Sequence, residues 1–519
     1  METIYHILWA DDEIDLLKPH ILFLGKKGYK VTPVNSGTDA LDQIEETSFD
    51  LIFLDENMPG MTGLETLTQI KQRQPNVPIV MITKSEEEHI MEEAIGANIA
   101  DYLIKPINPN QIILSIKKIL DNQRIRSEKT QQNYQQDFRN LMMAFGERTD
   151  YQEWTEIYKK LVFWELEIES SQSQGMQEVL EMQKNEANTN FVKFIEENYE
   201  EWLANPQDED TPLLSHHLVR SKVLPFLQNN EPVFFIVIDN LRYDQWKVIE
   251  PMLAPYFHIE EESIYYSILP TTTAYARNAL FSGLTPLEMS RKHPDLWVEE
   301  GDEEGKNLQE AAFLEKQLQR LRHNIRFEYH KIIHQQKGKQ VTESLNQLMG
   351  NQLNALVYNF VDMLSHARTD VAMIRELMPD DAAFRSLTKS WFAHSPLFDL
   401  LKKLSDKKAK VILTTDHGTV FVKRPFKIIG DRNVNTNLRY KQGKNLNYDG
   451  DKVLVARKPE AFHLPKVNLS TSYVFAVEDY FFAYPNNYNH YVNYYRDTFQ
   501  HGGVSMEEIM IPFVVLAQK

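Results

Sequence analysis

Residues 49–63 read FDLIFLDENMPGMTG: an apolar run too short for a helix ends on Asp55, and a Pro-Gly turn follows at once. Similar runs flank it at 4–10 (IYHILWA), 29–34 (YKVTPV), 78–83 (PIVMIT) and 100–105 (ADYLIK), with helix-length amphipathic stretches between them. Such alternation predicts a doubly wound parallel sheet, whose ligands bind beyond the carboxyl ends of its strands. At those ends stand Asp11, Asp12 and Glu13 after the first strand, Asp55 after the third, Thr83 after the fourth and Lys105 after the fifth. Carboxylates converging from separate loops repel one another unless a hard cation lies among them. Mg²⁺ accepts such oxygen ligands and keeps waters for a phosphoryl group. A hydroxyl and an ammonium would hold the remaining phosphoryl oxygens.

LDENMPGMTG, MITKS and YLIKP each fall at the strand end this fold requires, and together they resemble the CheY-like receiver domain of response regulators over roughly residues 1–122. The resemblance implies that Asp55 is the phosphoacceptor. It makes Asp11 and Asp12 Mg²⁺ ligands with Asp55, Thr83 and Lys105 the switch pair, and Tyr102 the aromatic that reports phosphorylation by changing rotamer. It also implies a cognate sensor histidine kinase and a homodimer formed on phosphorylation. Receivers usually place a small residue after the switch threonine, whereas this chain has Lys84.

From 123 to about 210 the composition changes. Between Asn122 and Asn205 there are only two glycines, Gly146 and Gly175, and no proline, while Gln, Glu, Lys, Leu and Met dominate. This predicts a helical bundle or linker domain over 123–210. Tyr151, Trp154, Ile157, Tyr158 and Leu161 recur at three or four residues and mark a core-facing stripe rather than a ligand box. NPQDEDTP (205–212) reads as a turn-rich boundary.

The remainder, 211–519, scatters Asp and His across strand and helix ends. PVFFIVID (232–239) is a buried strand ending on Asp239. SILPTTTAYARNALFSG (267–283) sets Thr271, Thr272 and Thr273 between a proline and a helix, where hydroxyls cap and free N–H groups also favour phosphate. In LNALVYNFVDMLSH (353–366), Asp362 and His366 stand four apart and so share one helix face. AKVILTTDHG (409–418) puts Asp416 and His417 at another strand end, and HGGVSMEE (501–508) presents His501 before two glycines. With no cysteine in the chain, any metal must be held by oxygen and nitrogen donors, which suit Zn²⁺ or Mn²⁺. Two such ions ~3.5–4 Å apart would bind both oxygens of a phosphoryl displacement and activate a threonine hydroxyl.

The order Asp, Thr, Asp-x-x-x-His, Asp-His, His resembles the alkaline phosphatase superfamily. IDNLRYD, LPTTT, TTDHG and HGGVSMEE are similar to its PglZ branch. That resemblance implies an α/β domain with two zinc ions, one held by Asp362, His366 and His501, the other by Asp239, Asp416, His417 and the nucleophile. Thr271, directly after the proline, is preferred as nucleophile. Thr273 matches the interval to the ALFSG turn in related phosphodiesterases, and Thr272 also stays open. Threonine in place of serine is more typical of diesterase and phosphonate-cleaving members. Receiver, bundle and PglZ-like domain in this order resemble response regulators of the type IX secretion system, which implies secretion components or a sigma factor as partners.

Between Lys423 and Lys458 ten cations, Lys423, Arg424, Lys427, Arg432, Arg439, Lys441, Lys444, Lys452, Arg457 and Lys458, stand against Asp431, Asp449 and Asp451. With Phe421, Phe426, Tyr440 and Tyr448 interleaved, the segment reads as a funnel for a nucleotide phosphodiester, a short or cyclic oligonucleotide, with Lys423, Arg424 and Lys427 as substrate contacts. The net charge of −18 is uneven: twenty acidic residues against ten basic in 1–122, nineteen against ten in 123–220, and 35 against 36 in 221–519. No window suits a membrane span and the first residues lack a signal-peptide pattern, so a cytoplasmic location is expected. The leading expectation is a phosphorylation-controlled, zinc-dependent phosphodiesterase. The competing one is a metal-stabilised interaction effector that docks on secretion or transcription partners without catalysis. Direct DNA recognition ranks below both, because no recognition helix is apparent after the receiver.

Overall fold

The computed structural model describes residues 5–74, 77–84, 99–145, 149–171, 174–229, 231–298, 308–430, 435–448, 450 and 452–519. The chain forms two units: the first runs to Gln135, and the second holds Gln136–Ser170 and Gln174–Lys519.

In the first unit, strands β1 (His6–Ala10), β2 (Lys30–Val34), β3 (Leu51–Asp55), β4 (Ile79–Thr83) and β5 (Asp101–Ile104) form one parallel sheet in the order β2-β1-β3-β4-β5. Alternate residues serve opposite faces of the sheet. Leu8, Ala10, Ile52, Leu54 and Met81 pack on one side, and Ile7, Trp9, Leu51, Phe53, Val80 and Ile82 on the other. Covering both faces explains why these strands read as continuous apolar runs. The strand order reverses beside β1 and β3, so Asp11, Asp12 and Asp55 share one edge. The helix Gly63–Arg73 starts from a capping box between Thr62 and Glu65, which fixes the turn after Asp55.

The second unit contains the helices Tyr151–Ser171 and Gln174–Ala204. Its main sheet has six strands: β6 (Val233–Ile238), β7 (Phe257–Tyr266), β8 (Phe327–Ile332), β9 (Leu353–Tyr358), β10 (Lys410–Thr414) and β19 (Met510–Gln518). Their order is β7-β19-β10-β6-β9-β8, with β10, β6, β9 and β8 parallel and β19 antiparallel to both its neighbours. Smaller sheets lie between β10 and β19 in sequence. They use β11 (Val420–Val422), β12 (Arg424–Ile429), β13 (Tyr440–Gly443), β14 (Asn447–Tyr448), β15 (Val453–Ala456), β16 (Ser472–Ala476), β17 (Tyr480–Ala483) and β18 (Thr498–Gln500).

The two long helices are built into this unit rather than standing beside it. Trp154, Tyr158 and Leu161 of the predicted stripe are buried. Trp154 meets Phe191, and Trp202 meets Tyr266 of β7 edge-on. The Tyr199 hydroxyl accepts from the Leu269 amide at 2.8 Å, and Arg385 binds Glu165 at 2.8 Å and Asp244 at 2.9 Å. Among the described residues no helix is long and apolar enough to cross a membrane.

Candidate metal centres

At the edge of the first sheet, one carboxylate oxygen each of Asp11, Asp12 and Asp55 lie within 4.8 Å of one another. Asp11 and Asp55 are buried, and Lys105 reaches both, at 2.8 and 2.9 Å. Burial, with Asp11 and Asp12 adding their charge, pushes Asp55 up to about 6 against the pull of Lys105. A carboxylate trio with one ammonium still lacks positive charge, which suits a divalent ion. The Tyr102 side chain hydrogen-bonds Thr83, which is buried. Lys84 points elsewhere, to Glu13 at 2.9 Å, in an exposed ion pair.

At the edge of the second sheet the scattered residues converge. Ligand atoms of Asp362, His366 and His501 form one group within 4.8 Å, and those of Asp239, Asp416 and His417 form another. The groups adjoin: the His417 and His501 rings stack at 4.4 Å, and Asn240 joins them, its amide N–H directed at Asp416 (3.4 Å) and its side chain at Asp362 (3.4 Å) and Ser365 (3.1 Å). Asp239 and Asp416 extend β6 and β10, while Asp362 and His366 lie on the helix Phe360–Asp370 that follows β9.

Electrostatics distinguishes the two groups. Burial, with Asp416 and Asp362 nearby, raises Asp239 well above the carboxylate range despite Arg277. Burial acts the same way on Asp362 and Asp416, but histidine and arginine partners outweigh it and hold both low. Burial and the neighbouring His417 depress His501 to about 3, leaving a neutral ring. His417 Nδ1 lies 3.1 Å from the Gly418 carbonyl, which directs that nitrogen's hydrogen to the backbone and turns a lone pair on Nε2 toward the carboxylates. Asp239 Oδ1 and His501 Nδ1 are buried without a hydrogen-bond partner. Oxygen and imidazole donors with an orphaned carboxylate oxygen among them fit divalent cations such as zinc.

The three threonines have different surroundings. Thr271 is fully buried; its hydroxyl donates to Gly503 O at 2.9 Å and accepts from Gly502 N–H at 3.1 Å, so the position preferred from the sequence serves the glycine loop. Thr272 is buried and its hydroxyl has no partner. Thr273 is half-buried, opens the helical turn Thr273–Arg277 and sets its Oγ1 3.1 Å from His417 Nε2. Of the three, Thr273 is the one whose hydroxyl lies within hydrogen-bond distance of a ligand nitrogen, whereas that of Thr271 is engaged by the loop that follows His501.

Glycines 418 and 503 are fixed by close approach. A Cβ on Gly418 would stand 1.9 Å from Glu507 O, and one on Gly503 would stand 2.3 Å from Ala476 O. Arg439 and Glu508, both fully buried, pair at 2.6 Å and brace the loop that carries His501.

Among the described residues, several cations of the basic segment are already engaged by other groups. Lys423 pairs with Glu181. Arg424 pairs with Glu478 and Asp479 and lies over the Tyr480 ring. Arg439 is consumed by Glu508 and backbone carbonyls, and the Lys441 ammonium donates to Asn435 O at 2.8 Å. Lys427 is exposed on β12, whose alternation turns successive side chains to opposite faces, so closeness in sequence to His417 gives no common direction. Arg432, Asp431, Asp449 and Asp451 lie outside the described residues.

Several participants escaped sequence reasoning. Arg277, fully buried, hydrogen-bonds Asp416 at 3.0 Å, pairs with Asp239 and lies 3.7 Å from Glu310. Its signal was an arginine four residues after Thr273 inside an apolar helix start. Asn359 donates to Asp239 at 2.7 Å. Asn240 adopts a left-handed backbone with φ 65°, as an asparagine tolerates, and its signal was its place directly after the strand-end Asp239.

Family models match three consecutive parts of the chain: a response regulator receiver domain over residues 7–117, a PorX response regulator linker domain over 124–203, and the BREX system PglZ alkaline phosphatase-like domain over 218–516, more than half of the chain. The chain is similar to transcriptional regulatory protein ResD of Bacillus subtilis (32% identity over 114 residues, 22% of this chain and 47% of ResD). It is also similar to transcriptional regulatory protein ZraR of Klebsiella oxytoca (34% over 119 residues, 23% of this chain and 27% of ZraR). It thus spans about half or less of the length of these curated relatives. Among solved structures, chemotaxis protein CheY4 of Vibrio cholerae matches 23% of this chain and 100% of its own at 28% identity, with a TM-score of 0.22.

Proposed function

This chain belongs to the family of the BREX system PglZ alkaline phosphatase-like domain and carries a response regulator receiver at its head; on that premise we propose that it is a two-component regulator whose effector is a zinc-dependent phosphodiesterase. The observation that carries the reading is the pairing of two adjacent three-ligand groups with a threonine hydroxyl 3.1 Å from one ligand nitrogen. Asp362, His366 and His501 would hold one ion, and Asp239, Asp416, His417 and Thr273 the other. Two zinc ions there would supply Lewis acidity, favouring ionised Thr273 and neutralising charge on the phosphoryl oxygens. Thr273 Oγ1 is the nucleophile: it attacks phosphorus, the P–O bond to the leaving alkoxide breaks, and water then hydrolyses the phosphothreonine. Asn240 and Asn359 orient the carboxylates. Thr271 positions the glycine loop, and Thr272 is left as packing.

Asp55 is the phosphoacceptor in this reading, Mg²⁺ binds Asp11, Asp12 and Asp55, and a sensor histidine kinase supplies the phosphoryl group. Thr83, Tyr102 and Lys105 carry the change to a dimerising surface. Substrates are nucleotide phosphodiesters, and the output is control of type IX secretion in the cytoplasm, supported by the PorX linker match and the order of the three parts. Metal analysis of the purified chain, coupled to hydrolysis of mono- and diesters with and without an acyl-phosphate mimic, tests the whole. Two zinc ions and diester cleavage are expected. No cleavage with zinc, together with unchanged metal content in Asp416→Ala and His417→Ala, overturns the enzyme in favour of a docking effector.

A further inference from the structure

If nucleotide diesters are the substrates, their bases need a surface beside the metal groups, and several cations of the basic segment are engaged by other groups. The helix Tyr488–Tyr495, sequence YNHYVNYY, presents rings instead of charges. His490 stacks on Tyr494 at 6.3 Å and 19°, and Tyr491 on Tyr495 at 6.2 Å and 10°, while Tyr494 and Tyr495 meet edge-on at 4.8 Å. His490 and Tyr491 are exposed, Tyr491 at 39%. Tyr494 and Tyr495 are half-buried, Tyr495 against Val420, Val422 and Phe481, so they anchor a stack whose other two rings, His490 and Tyr491, are presented to solvent.

Position gives this face its meaning. Asp362, His366 and Asp370 recur every four residues on the helix Phe360–Asp370, so they share one face at about 5–6 Å intervals. The Tyr494 hydroxyl donates to Asp370 at 3.0 Å. From the other direction, β18 leads from the tyrosine helix into His501, and Gln500 reaches Thr369 at 3.4 Å. The rings therefore begin one helical turn beyond a metal ligand, within the reach of a nucleoside from its own phosphate.

Cations without carboxylate partners accompany them. The Arg375 guanidinium lies 5.7 Å over the Tyr494 ring and donates to Thr369 O at 2.7 Å. Arg496 is exposed at the end of the same helix. Neither forms an ion pair among the described residues. Asp370 and Asp497 are the anions nearby, the first already bound by Tyr494. Aromatic faces with free arginines are the chemistry of single-strand binding: rings take bases of any sequence and guanidinium groups take the backbone.

We propose that the Tyr488–Tyr495 helix with Arg375 and Arg496 is the subsite for a single-stranded oligonucleotide whose scissile phosphodiester lies at the metal groups. The inference rests on the diesterase reading for its register. Binding and cleavage are therefore measured separately. Fluorescence anisotropy with a fluorescein-labelled hexaadenylate RNA is followed on the full-length chain carrying Thr273→Val, which keeps the probe intact. Adding Tyr491→Ala with Arg375→Gln is expected to weaken binding at least tenfold, Tyr491→Trp to retain it, and Lys427→Ala to leave it within twofold. Equal binding by the double variant, or a loss confined to Lys427→Ala, overturns the subsite. Hydrolysis of methyl p-nitrophenyl phosphate, which has no base, reports the metal centre in the Thr273 chain with and without Tyr491→Ala. An unchanged kcat/KM is expected, and a loss as large as that for the oligonucleotide overturns a base-binding role. If the wild-type chain binds RNA through these residues but cleaves neither probe, the diesterase reading falls and the subsite stands.

Discussion

Replacing Arg277 with Met should make the folded state of the C-terminal domain depend on metal. The guanidinium is fully buried, 3.0 Å from Asp416, ion-paired with Asp239 and 3.7 Å from Glu310. At an effective dielectric constant near 20, a unit pair at ~3 Å is worth ~5 kcal/mol before desolvation. Removing one partner of a buried pair costs about 3–5 kcal/mol, because the other charge is left uncompensated. Unfolding entropy is ~2.1 cal/mol/K per residue, or ~0.8 kcal/mol/K for a unit of about 380 residues. A loss of ~4 kcal/mol then lowers Tm by roughly 5 °C. That figure applies to the metal-free chain, where Arg277 is the cation beside Asp239 and Asp416. With zinc bound, the ion compensates the same carboxylates, and the shift should fall below about half. Thermal melts followed by tryptophan fluorescence, with Trp246 buried in this domain, compare wild type and Arg277→Met in chelator and in zinc. Equal melting of the two chains in chelator, or the same shift in both media, would refute the reasoning.

The threonine assignment is tested by a contrast. Thr273→Val should lower diester kcat by about 10³-fold or more with little change in Tm, whereas Thr271→Val, by orphaning Gly502 N–H and Gly503 O, should cost about 1–3 kcal/mol of stability. A larger kcat loss in a well-folded Thr271→Val chain would reverse the assignment. Gly418→Ala places a Cβ 1.9 Å from Glu507 O, so the Asp416–His417 loop must shift; zinc content read by atomic absorption should drop from two ions toward one, and full occupancy would count against that fit. In the receiver, Asp55 titrates at about 6 folded against ~3.9 unfolded, so its stabilising contribution is complete below pH ~4 and lost as pH rises through 6. Mg²⁺ must displace that proton, so its affinity should be flat above pH 7 and fall as much as ~tenfold per unit below 6; calorimetry showing a flat profile down to pH 5 would contradict this. Lys84→Ala removes an exposed pair worth about 0–1 kcal/mol and should leave the melting of the receiver unchanged within about 1 kcal/mol, measured by thermal denaturation.

What could be read from the sequence was whatever a strand end determines by itself. Asp55, Asp239 and Asp416 each terminate a run of buried residues, and in a parallel sheet that position alone faces the ligand edge. Asp362 and His366 were legible because an interval of four is a local property of a helix. His501 was harder, since its place depends on a loop fixed by the distant Arg439–Glu508 pair. Side-chain direction was beyond reach. Three consecutive threonines differ in sequence only by position, yet Thr271 turns to Gly503, and Thr273 to His417. Charge was equally deceptive. Lys423, Arg424, Arg439 and Lys441 are close in number but serve separate partners, whereas the unpaired Arg375 and Arg496 lie 121 positions apart by number and meet the same tyrosine helix. The bundle reading was right about helices and silent about their docking, because Trp202 meets Tyr266 and Tyr199 meets Leu269, partners more than 60 positions away that only tertiary contact supplies.

The two carboxylate groups share one electrostatic problem and solve it with different cations. Lys105 bridges Asp11 and Asp55 through a single ammonium on a flexible stem, with 12% of its side chain exposed. Such a group can leave one oxygen for another at low cost, which is what a site must do if a phosphoryl group comes and goes. Arg277 bridges Asp239 and Asp416 with a planar fork, fully buried and held by Glu310 behind it. A guanidinium so enclosed cannot swing away without depriving Asp239 and Asp416 of the cation that bridges them, a change worth several kcal/mol. The first site is therefore built to change occupancy and the second to keep its geometry while substrates exchange. If so, exchanging the cations should fail in opposite ways. Lys105→Arg should still fold but hold the receiver near one state, because the fork bridges Asp11 and Asp55 too well. Arg277→Lys should keep the charge yet lose one of the two carboxylate contacts, so that diester kcat falls about tenfold or more while metal-free Tm falls less than in Arg277→Met. Equal behaviour of Arg277→Lys and wild type in both measurements would show that charge alone, and not the rigid fork, is what the metal centre requires.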